Sequence, residues 1–265
     1  MSILENNKVK VTTRGDISYL QFYKLLAYED KIVHAYTLKS NYKDYTVDNG
    51  SNYKELCEAL EIQPENLVRI KEQIHSALVE PVENTKQSFT KIDGLITNKP
   101  GISFSLRFAD CTPLFFYDPI HNAIGDIHSG WKGTVQKIAR EAVIKMQETY
   151  GTNPKELICC IGPRIGKCHF EVHEDVKTIF EQAFSNSKYL DKAIEKGRIE
   201  EGKQKYYIDT TLLNIELLLQ LGLQEENIID CGICTACHSD LFHSYRVDRQ
   251  NAGRNTAIIG MRAEK

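Results

Sequence analysis

Two residues with reactive side chains, Cys111 and His128, each follow a short apolar run of the sequence. Cys111 comes directly after the run SLRFAD and two positions before Pro113, where regular strand pairing is expected to stop. His128 follows the run AIGDI and precedes SGWKG, where a helix is expected to begin. The N-terminus of a helix favours the neutral form of an imidazole and the thiolate form of a thiol. Those are the protonation states in which the two residue types bind a metal ion.

Spacing alone also permits a simpler interpretation of both residues. Cys111 could be a small buried hydrophobic residue, and His128 could be a loop residue that is hydrogen-bonded to its surroundings. From spacing alone we favour this interpretation. A further observation is needed before either residue is assigned to a metal site.

A second concentration of metal-binding residue types lies near the end of the chain, in the sequence CGICTACHSD of residues 231–240. Its cysteines have the C-x2-C-x2-C spacing of an iron–sulfur motif, but the expected fourth cysteine is missing. His238 is a poor replacement because it directly follows Cys237, and adjacent residues do not easily bind one ion. The sequence holds no second paired motif that would complete a zinc ribbon. We therefore predict that the working metal site lies elsewhere.

The triplet HFE at residues 169–171, followed later by C-x-x-C at residues 231–234, is similar to the signature of zinc-dependent nucleobase deaminases. No proline precedes either cysteine, which counts against a deaminase site. His169 and His173 could lie on one helix face, but such a pair without a third ligand is usually an exposed polar pair.

The elements that would position these residues are predicted from hydrophobic periodicity. Nine short apolar or alternating runs predict β-strands: Lys8–Thr12, Ile17–Tyr23, Ile32–Thr37, Leu67–Ile70, Ser103–Phe108, Leu114–Tyr117, Ala123–Ile127, Leu157–Ile161 and Thr256–Met261. One helix is predicted over Trp131–Tyr150 and stops at Gly151, and another begins at the cap Asp209 and runs through Leu221. The polar stretch Asp191–Lys205 is predicted to be a surface loop or a short exposed helix.

The composition of the chain limits the possible fold classes and binding partners. Grouped strands predict a mixed α/β protein of the α+β type, and 265 residues with 42% hydrophobic content predict one compact domain over residues 1–265. A net charge of −3 without a basic stripe excludes the pattern of a nucleic-acid-binding protein. No apolar run approaches the roughly 20 residues that span a membrane, and the start lacks a signal peptide, so we expect a cytoplasmic protein. The eight cysteines are then interpreted as reduced thiols.

A series of motifs resembles the family long labelled multicopper polyphenol oxidase, laccase-like. They are DGLIT at 93–97, FADCTPLFFYDP at 108–119, AIGDIHSGWKGT at 123–134, IGPRIGKCHFEV at 161–172, CT at 234–235, FHSYRVD at 242–248 and GR at 253–254. The resemblance covers about two-thirds of the chain from about Leu67 onward, and its ADC and H-x-G-W-x-G elements are specific. It implies a YfiH-like fold with layered mixed sheets flanked by helices. Residues 1–66 match poorly and are interpreted as the N-terminal part of the same domain.

In this family, one zinc ion is bound by the His of a Q-x-H motif, the Cys of ADC and the His before the G-W loop. The resemblance therefore implies His75, Cys111 and His128 as ligands, a set that leaves the fourth tetrahedral position open, as catalytic zinc does. Asp110 and Asp126 could orient these ligands or could equally bond their own backbone. Copper could replace zinc here. A true multicopper oxidase is excluded, because it needs on the order of ten His ligands and the chain has eight histidines.

The resemblance also bears on the cysteines near the end of the chain. Among them, only the pair Cys234-Thr235 recurs in the family. We therefore interpret Cys231 and Cys237 as core or loop thiols.

Several positions depart from the family. Ser129 and Lys132 stand where members usually have Ala and Arg, Val247 stands where they have a second Arg, and Thr37-Leu38-Lys39 replaces Thr-Thr-Arg. Lys132 can meet a phosphate as a point charge but cannot grip it through two hydrogen bonds, as Arg would. We therefore expect a weaker phosphate affinity than is usual in the family.

Members of the family are regarded as purine nucleoside enzymes. The resemblance implies phosphorolysis of adenosine, inosine and S-methyl-5′-thioadenosine to the free base and ribose 1-phosphate, with adenosine deamination as a second activity. Lys132, Arg246 and Arg254 are the candidates for binding phosphate, although each could be a solvated surface charge. Phe170 and Tyr245 could stack on a base, although such aromatic residues are more often part of the core.

Two other functions remain open from the sequence. With Cys111 as nucleophile and His128 as its base, the protein would be an amide hydrolase, for instance one that acts on a cytoplasmic cell-wall precursor. It could also be a metal-dependent binding module without catalytic turnover. Zinc content and the substrate that is turned over distinguish these functions.

Overall fold

The computed structural model describes residues 3–40, 43–46 and 50–263, which form three β-sheets and eight α-helices. The first sheet contains, in spatial order, β1 (Val9–Arg14), β2 (Ile17–Phe22), β3 (Ile32–Thr37), β15 (Asn255–Met261), β7 (Ser103–Phe108) and β4 (Leu67–Arg69). The second contains β14 (Ile228–Asp230), β10 (Ile158–Ile161), β8 (Thr112–Asp118), β9 (Ala123–Ser129), β6 (Gly94–Thr97) and β5 (Val79–Pro81). The third contains β11 (Glu171–Val172), β13 (Lys203–Ile208) and β12 (Ile194–Glu200).

The main core lies between the two six-stranded sheets. Phe104 and Phe108 of the first sheet and Phe115 and Tyr117 of the second belong to one cluster of buried side chains. Successive residues of a strand point to opposite faces, so the other faces of both sheets need their own cover. Helices provide that cover, and the protein is layered from helix to sheet to sheet to helix.

The helices are α1 (Tyr23–Leu26), α2 (Gly50–Leu60), α3 (Trp131–Val135), α4 (Ile138–Tyr150), α5 (Glu174–Ala183), α6 (Leu190–Ala193), α7 (Thr210–Gln220) and α8 (Tyr245–Asp248). Helix α2 covers the outer face of the first sheet through residues such as Leu56, and α4 and α7 cover the second sheet. The Asp209 carboxylate caps α7 by accepting a hydrogen bond from the Leu212 N–H at 3.0 Å. The predicted position and cap of this helix are therefore confirmed.

The helix predicted over Trp131–Tyr150 is instead two helices. Lys137, at the junction of α3 and α4, has a φ angle of 65°, which a continuous right-handed helix cannot contain. The apolar spacing continues on both sides of this residue, so periodicity gave no sign of the break. Gly151 ends α4 in the left-handed conformation, as predicted.

All nine predicted strands are present, and the mixed α/β fold class is confirmed. The loop or short exposed helix predicted over Asp191–Lys205 is correct only at its first three residues, which lie in α6, and is wrong for the rest. Most of it forms strand β12 and the start of β13, which pair as an antiparallel hairpin. The side chains of β12 are exposed or half-buried, so this strand lacks the apolar alternation by which strands are recognised.

The first strands of the chain are integrated into the first sheet. Strand β3 pairs with the last strand, β15, with Tyr36 opposite Ala257. Strands from both ends of the chain therefore lie side by side. Among the described residues, no helix has the length and apolar character that crossing a membrane requires.

Gly260 lies where β15 and β7 pass too closely for a larger residue. A Cβ atom at this position would lie 2.0 Å from the Oγ and 2.8 Å from the Cβ of Ser103, the residue directly opposite. We expect Gly260→Ala to lower the free energy of unfolding by about 1–3 kcal/mol, measured by urea denaturation. Adding Ser103→Gly should recover at least about 1 kcal/mol of the free energy of unfolding in a double-mutant cycle. If the two substitutions changed this free energy additively, the steric explanation would be contradicted.

Candidate metal centre

Three metal-binding side chains, those of His75, Cys111 and His128, meet at one end of the second sheet. One ligand atom from each residue lies within 4.8 Å of those of the other two. The two imidazole rings have centroids 4.9 Å apart in an edge-to-face arrangement. The structure thus brings together the three residues that the resemblance implied as zinc ligands.

Cys111 and His128 are neighbours because of the way the chain enters the second sheet. Strands β8 and β9 are antiparallel, with Thr112 opposite Ser129 and Pro113 opposite His128. Cys111 directly precedes β8, on the short crossing from the first sheet to the second. Asp110, at this crossing, has a φ angle of 82°, which marks a sharp turn of the backbone.

His75 lies in the loop between β4 and β5, which Gln73 fastens to strand β7. The Gln73 side-chain nitrogen donates to the carbonyl of Arg107 at 3.1 Å, and its oxygen accepts from the Arg107 N–H at 2.9 Å. The φ angle of His75 is 61°, an uncommon value for a residue with a Cβ atom. The Gln of the Q-x-H motif thus anchors the loop that carries the His.

Asp93 connects this loop to His128. Its carboxylate accepts hydrogen bonds from the N–H groups of His75 and Ser76, at 3.0 and 2.6 Å, and from the Ser76 hydroxyl at 2.7 Å. It also lies 2.8 Å from Nδ1 of His128. Burial raises the pKa of Asp93, but the hydrogen bonds and the His128 charge lower it overall, so the group is a carboxylate. With Nδ1 bound to Asp93, Nε2 is the nitrogen of His128 that remains for a metal ion.

Asp93 therefore has the orienting role that the sequence suggested for Asp110 or Asp126. The Asp110 carboxylate accepts from the Thr235 hydroxyl and from the N–H of Arg246, each at 2.6 Å. Asp126 is fully buried, and burial raises its pKa well above the ordinary value, which favours the neutral acid. Within the described part of the chain, neither residue hydrogen-bonds a ring of the candidate ligands.

Cys111 and His128 are electrostatically coupled. Burial raises the pKa of Cys111, but the charges and hydrogen bonds of His128 and His75 lower it to about 6. Burial lowers the pKa of His128, but Cys111 and Asp93 raise it to about 9. Both shifts favour a thiolate beside an imidazolium when no metal ion is bound. The thiolate suits a divalent cation directly, and the imidazolium would release its proton on binding one.

Gly130 lets the backbone pass directly over the centre. A Cβ atom here would lie 2.4 Å from Cδ2 of His75 and 3.3 Å from Sγ of Cys111. Any side chain at this position would displace the His75 ring. The first glycine of the H-x-G-W-x-G element is thus required by the packing around the ligands.

The three residues line a cleft of about 830 Å³. Its other walls carry aromatic and cationic side chains from distant parts of the chain, among them Arg107, Trp131, Phe170, Tyr245, Arg246, Arg249 and Arg254. A cleft of this size is typical of small-molecule sites. The cleft is also lined by the carboxylate residues Glu72, Asp110, Glu171 and Asp175. Its aromatic residues and arginines suit a ligand that has both a flat ring and a negative charge.

The three cationic residues predicted from the sequence have different positions. Arg246 and Arg254 line the cleft, whereas Lys132 is exposed, is absent from its lining, and has its ammonium nitrogen 5.7 Å from the Trp131 ring centroid. Arg249, which the sequence analysis did not name, lines the cleft as well. The placement of Lys132 does not support its predicted contact with phosphate.

Arg246 is held in place from several directions. Its guanidinium donates to the carbonyl of His169 at 2.7 Å and lies 5.9 Å from the ring centroid of Phe170. Burial and the nearby Arg249 lower its pKa, although Asp110 acts in the opposite direction. Positive charge is therefore concentrated on this wall of the cleft, which favours an anionic ligand.

The cysteines near the end of the chain divide into two groups. Cys231 is buried in the main core, as predicted, with its sulfur 3.9 Å from a nitrogen of Arg164. Cys237 is an exposed loop residue whose sulfur lies 3.4 Å from Nδ1 of His169. In the sequence, His169 and the C-x-x-C of residues 231–234 resembled a deaminase signature that the missing proline counted against. In the structure, His169 lies beside the next C-x-x-C, which ends at Cys237.

Comparisons with known proteins show the family and the fold of this chain. The family model described as multi-copper polyphenol oxidoreductase laccase matches residues 27–262. The purine nucleoside phosphorylase YlmD of Bacillus subtilis is 37% identical over 171 residues, which is 64% of this chain and 59% of that protein. The YlmD protein of Geobacillus stearothermophilus, which has the same description, is 32% identical over 83% of this chain and 81% of its own length. The crystal structure of YfiH from Bacillus licheniformis superposes with a TM-score of 0.80 at 26% identity, covering 95% of this chain and 99% of that one, which confirms the YfiH-like fold.

The central role of Asp93 gives a direct test of the centre. We expect Asp93→Asn to weaken zinc binding by about 10–100-fold, because the His128 ring and the His75 loop both lose an ionised acceptor. Zinc affinity is measured by competition with a chromophoric chelator. Asp126→Asn is the matched control, since Asp126 is buried on β9 without a hydrogen bond to the candidate ligands, and it should bind zinc like the unmodified protein. Equal losses in both variants would contradict the assignment of Asp93.

Proposed function

This chain belongs to the multi-copper polyphenol oxidoreductase laccase family, and we propose that it is a zinc-dependent purine nucleoside phosphorylase. The proposed substrates are phosphate and adenosine, inosine or S-methyl-5′-thioadenosine, with adenosine deamination as a second activity. The names of the relatives support the reaction class, although the match covers only 59% of the Bacillus subtilis protein. The observation that carries the proposal is the opening of the two-histidine, one-thiolate donor set into a cleft lined by arginines.

His75, Cys111 and His128 would hold the zinc ion. Their donor set is that of a catalytic site, with three protein ligands and one open position. A bound zinc ion supplies a Lewis acid that polarises an oxygen or lowers the pKa of water, which suits both glycosidic cleavage and deamination. Asp93 keeps the His128 ring in the orientation that presents Nε2.

Arg246 and Arg254 would bind the phosphate, with Arg249 as a further donor. The Arg246 guanidinium already has one nitrogen bonded to the His169 carbonyl and is therefore fixed in direction. A fixed guanidinium binds phosphate with little loss of side-chain freedom and neutralises charge that develops in the transition state. Arg254 is fixed in a similar way, because it donates to the carbonyls of Ala252 and Gly253 at 2.6 and 2.9 Å.

The aromatic lining suits the nucleoside. Phe170 and Tyr245 both line the cleft, on the wall that also carries Arg246. A purine ring stacked on Tyr245 would lie near the cationic groups, as phosphorolysis requires, whereas Phe170 is only 9% exposed and packs against Phe180 in the core. Tyr245 is half exposed, so in the free protein it is available to a ligand.

The name of the family raises the possibility of copper. The candidate centre offers two imidazoles and one thiolate, which is far short of the roughly ten histidines of a multicopper oxidase. Copper in place of zinc at this single centre could support an incidental oxidation of polyphenols. We propose zinc as the native metal because the donor set matches a catalytic zinc site.

A second function is favoured by one specific observation. Cys111, His128 and Asp93 could act as the nucleophile, the base and the orienting carboxylate of a catalytic triad. In addition, the neighbouring histidines lower the pKa of Cys111 to about 6. A thiolate with this support could attack an amide carbonyl, with His128 protonating the leaving nitrogen. The protein would then be a cysteine-dependent amide hydrolase, for example one that acts on a cytoplasmic cell-wall precursor. His75 distinguishes the two functions, since the triad has no need of it.

The zinc-loaded protein incubated with adenosine, with and without phosphate, tests the proposal by chromatography of the products. We expect phosphate-dependent release of adenine, and His75→Ala should lower kcat/KM by at least about 100-fold together with the zinc content. Phosphate-independent inosine would reveal the deaminase activity. No turnover of adenosine, inosine or S-methyl-5′-thioadenosine would contradict the proposal. Amide hydrolysis retained in His75→Ala and lost in Cys111→Ser would favour the hydrolase.

The proposed role of the arginines is tested by the KM for phosphate. We expect Arg246→Ala to raise the KM for phosphate about 10–100-fold, because a charge-assisted hydrogen bond to phosphate is lost. The KM is measured in steady-state assays at saturating nucleoside. Lys132→Ala is the matched control because this cation lies outside the cleft, and its KM for phosphate should stay unchanged. A raised KM for phosphate in Lys132→Ala together with an unchanged KM in Arg246→Ala would contradict the proposed binding of phosphate by Arg246.

A further inference from the structure

A second group of metal-binding side chains lies apart from the candidate metal centre. It consists of Cys168, His169, Cys234 and Cys237, and one ligand atom from each lies within 4.8 Å of those of the other three. We call this group the second cluster. Its members come from two segments that are distant in sequence, the turn that precedes β11 and the loop that follows β14.

Four of the six distances between the ligand atoms of the second cluster are close to those of a tetrahedral zinc site, and all six are within 4.8 Å. Sγ of Cys168 lies 3.6 Å from Sγ of Cys237, and Nδ1 of His169 lies 3.2, 3.8 and 3.4 Å from the sulfurs of Cys168, Cys234 and Cys237. Zinc with Zn–S distances of about 2.3 Å and Zn–N distances of about 2.0 Å needs ligand atoms about 3.5–3.8 Å apart. The four side chains are therefore arranged around the position that one ion would occupy.

The backbone supports this arrangement. The Gly166 N–H donates a hydrogen bond to Sγ of Cys234 at 3.2 Å, which helps to stabilise a thiolate. A Cβ atom on Gly166 would lie 3.3 Å from both Sγ of Cys168 and Cβ of Cys234, so a glycine allows the two segments to approach. The same turn is closed by the His169 N–H, which donates to the Gly166 carbonyl at 3.0 Å.

Packing does not explain why three thiols gather here. Four of the other cysteines, Cys57, Cys159, Cys160 and Cys231, are buried among apolar side chains, as free thiols usually are. Cys168 and Cys237 are exposed, and no disulfide joins them. Three thiols and one imidazole that converge from two segments without a disulfide are the donor set of a Cys3His zinc site.

We propose that Cys168, His169, Cys234 and Cys237 bind a second zinc ion in a closed Cys3His site. Binding would release the protons of those thiols that are still protonated and leave three thiolates and one neutral imidazole on the ion. Four protein ligands leave no position for water or substrate, which is the pattern of structural zinc. This proposal does not depend on the proposed nucleoside activity.

The second cluster is not a deaminase centre, despite the H-x-E triplet in the sequence. Such a centre needs an open position on the metal and a nearby glutamate that transfers protons. Glu171 instead accepts a hydrogen bond from the Tyr207 hydroxyl at 2.9 Å and lies 3.6 Å from Nζ of Lys205. Its carboxylate therefore belongs to the third sheet.

A zinc ion here would hold one wall of the cleft. The His169 carbonyl accepts from Arg246, and the next residue, Phe170, lines the cleft. On the other segment, the Thr235 hydroxyl donates to Asp110, the residue before Cys111. Because neither segment is part of a long helix or strand at this point, the metal would supply a cross-link that regular secondary structure does not.

Zinc stoichiometry of the full chain tests the proposal, by elemental analysis and native mass spectrometry. We expect two zinc ions per chain in the unmodified protein, and one in each of the double variants His75→Ala/Cys111→Ser and Cys168→Ser/Cys237→Ser. Cys231→Ala, which changes a core cysteine in the same segment, is the matched control and should keep two. A single ion that is lost in His75→Ala/Cys111→Ser but kept in Cys168→Ser/Cys237→Ser, or two ions in Cys168→Ser/Cys237→Ser, would overturn the proposal.

Cobalt substitution identifies the ligands independently of activity. In His75→Ala/Cys111→Ser, the remaining cobalt should have a thiolate-to-cobalt absorption about threefold stronger per ion than in Cys168→Ser/Cys237→Ser, because three thiolates bind instead of one. Equal intensities would contradict a three-cysteine site. The single variant Cys237→Ser, which changes an exposed residue, repeats the zinc measurement if the double variant does not fold. We expect it to lower the thermal midpoint by at least about 5 °C, and an unchanged midpoint together with two bound ions would also overturn the proposal.

Discussion

The carboxylate of Asp93 is the contact on which the candidate metal centre depends. It binds the ring of His128 and the backbone of the loop that carries His75, so a single side chain sets both imidazoles. Its own position is fixed by the sheet, because it directly precedes strand β6, which pairs with β9, and its carbonyl accepts from the His128 N–H at 2.7 Å. A buried carboxylate surrounded by donors stays ionised, and this charge in turn holds His128 in one orientation.

A second carboxylate, next to Cys111, has a comparable role. Asp110 lies at the crossing between the two sheets, and it receives hydrogen bonds from the segment that carries Arg246. The residue after it is Cys111, so this candidate ligand and the cationic wall are positioned from the same turn of the chain. Chemistry that needs a metal ion and an anion side by side can be supported by such an arrangement.

The two groups of metal-binding residues differ in a way that matches different tasks. The first has three donors in the lining of the cleft, whereas the second has four donors next to the segment that carries Phe170 of the lining. Three donors leave a position for chemistry, and four donors close the coordination sphere. His169 belongs to the second cluster, and its carbonyl also holds Arg246. The second cluster therefore adjoins the wall of the cleft that carries Arg246.

The sequence by itself determined the features that short patterns of neighbouring residues encode. Apolar runs such as Ser103–Phe108 located nine strands, the cap Asp209 located α7, and the resemblance to a family implied the three zinc ligands. Only the tertiary structure decided the role of Asp93, the place of Lys132 outside the cleft and the grouping of Cys168 with Cys237. Local patterns reflect burial and backbone preferences over a few residues, whereas these contacts arise when distant segments of the chain pack together.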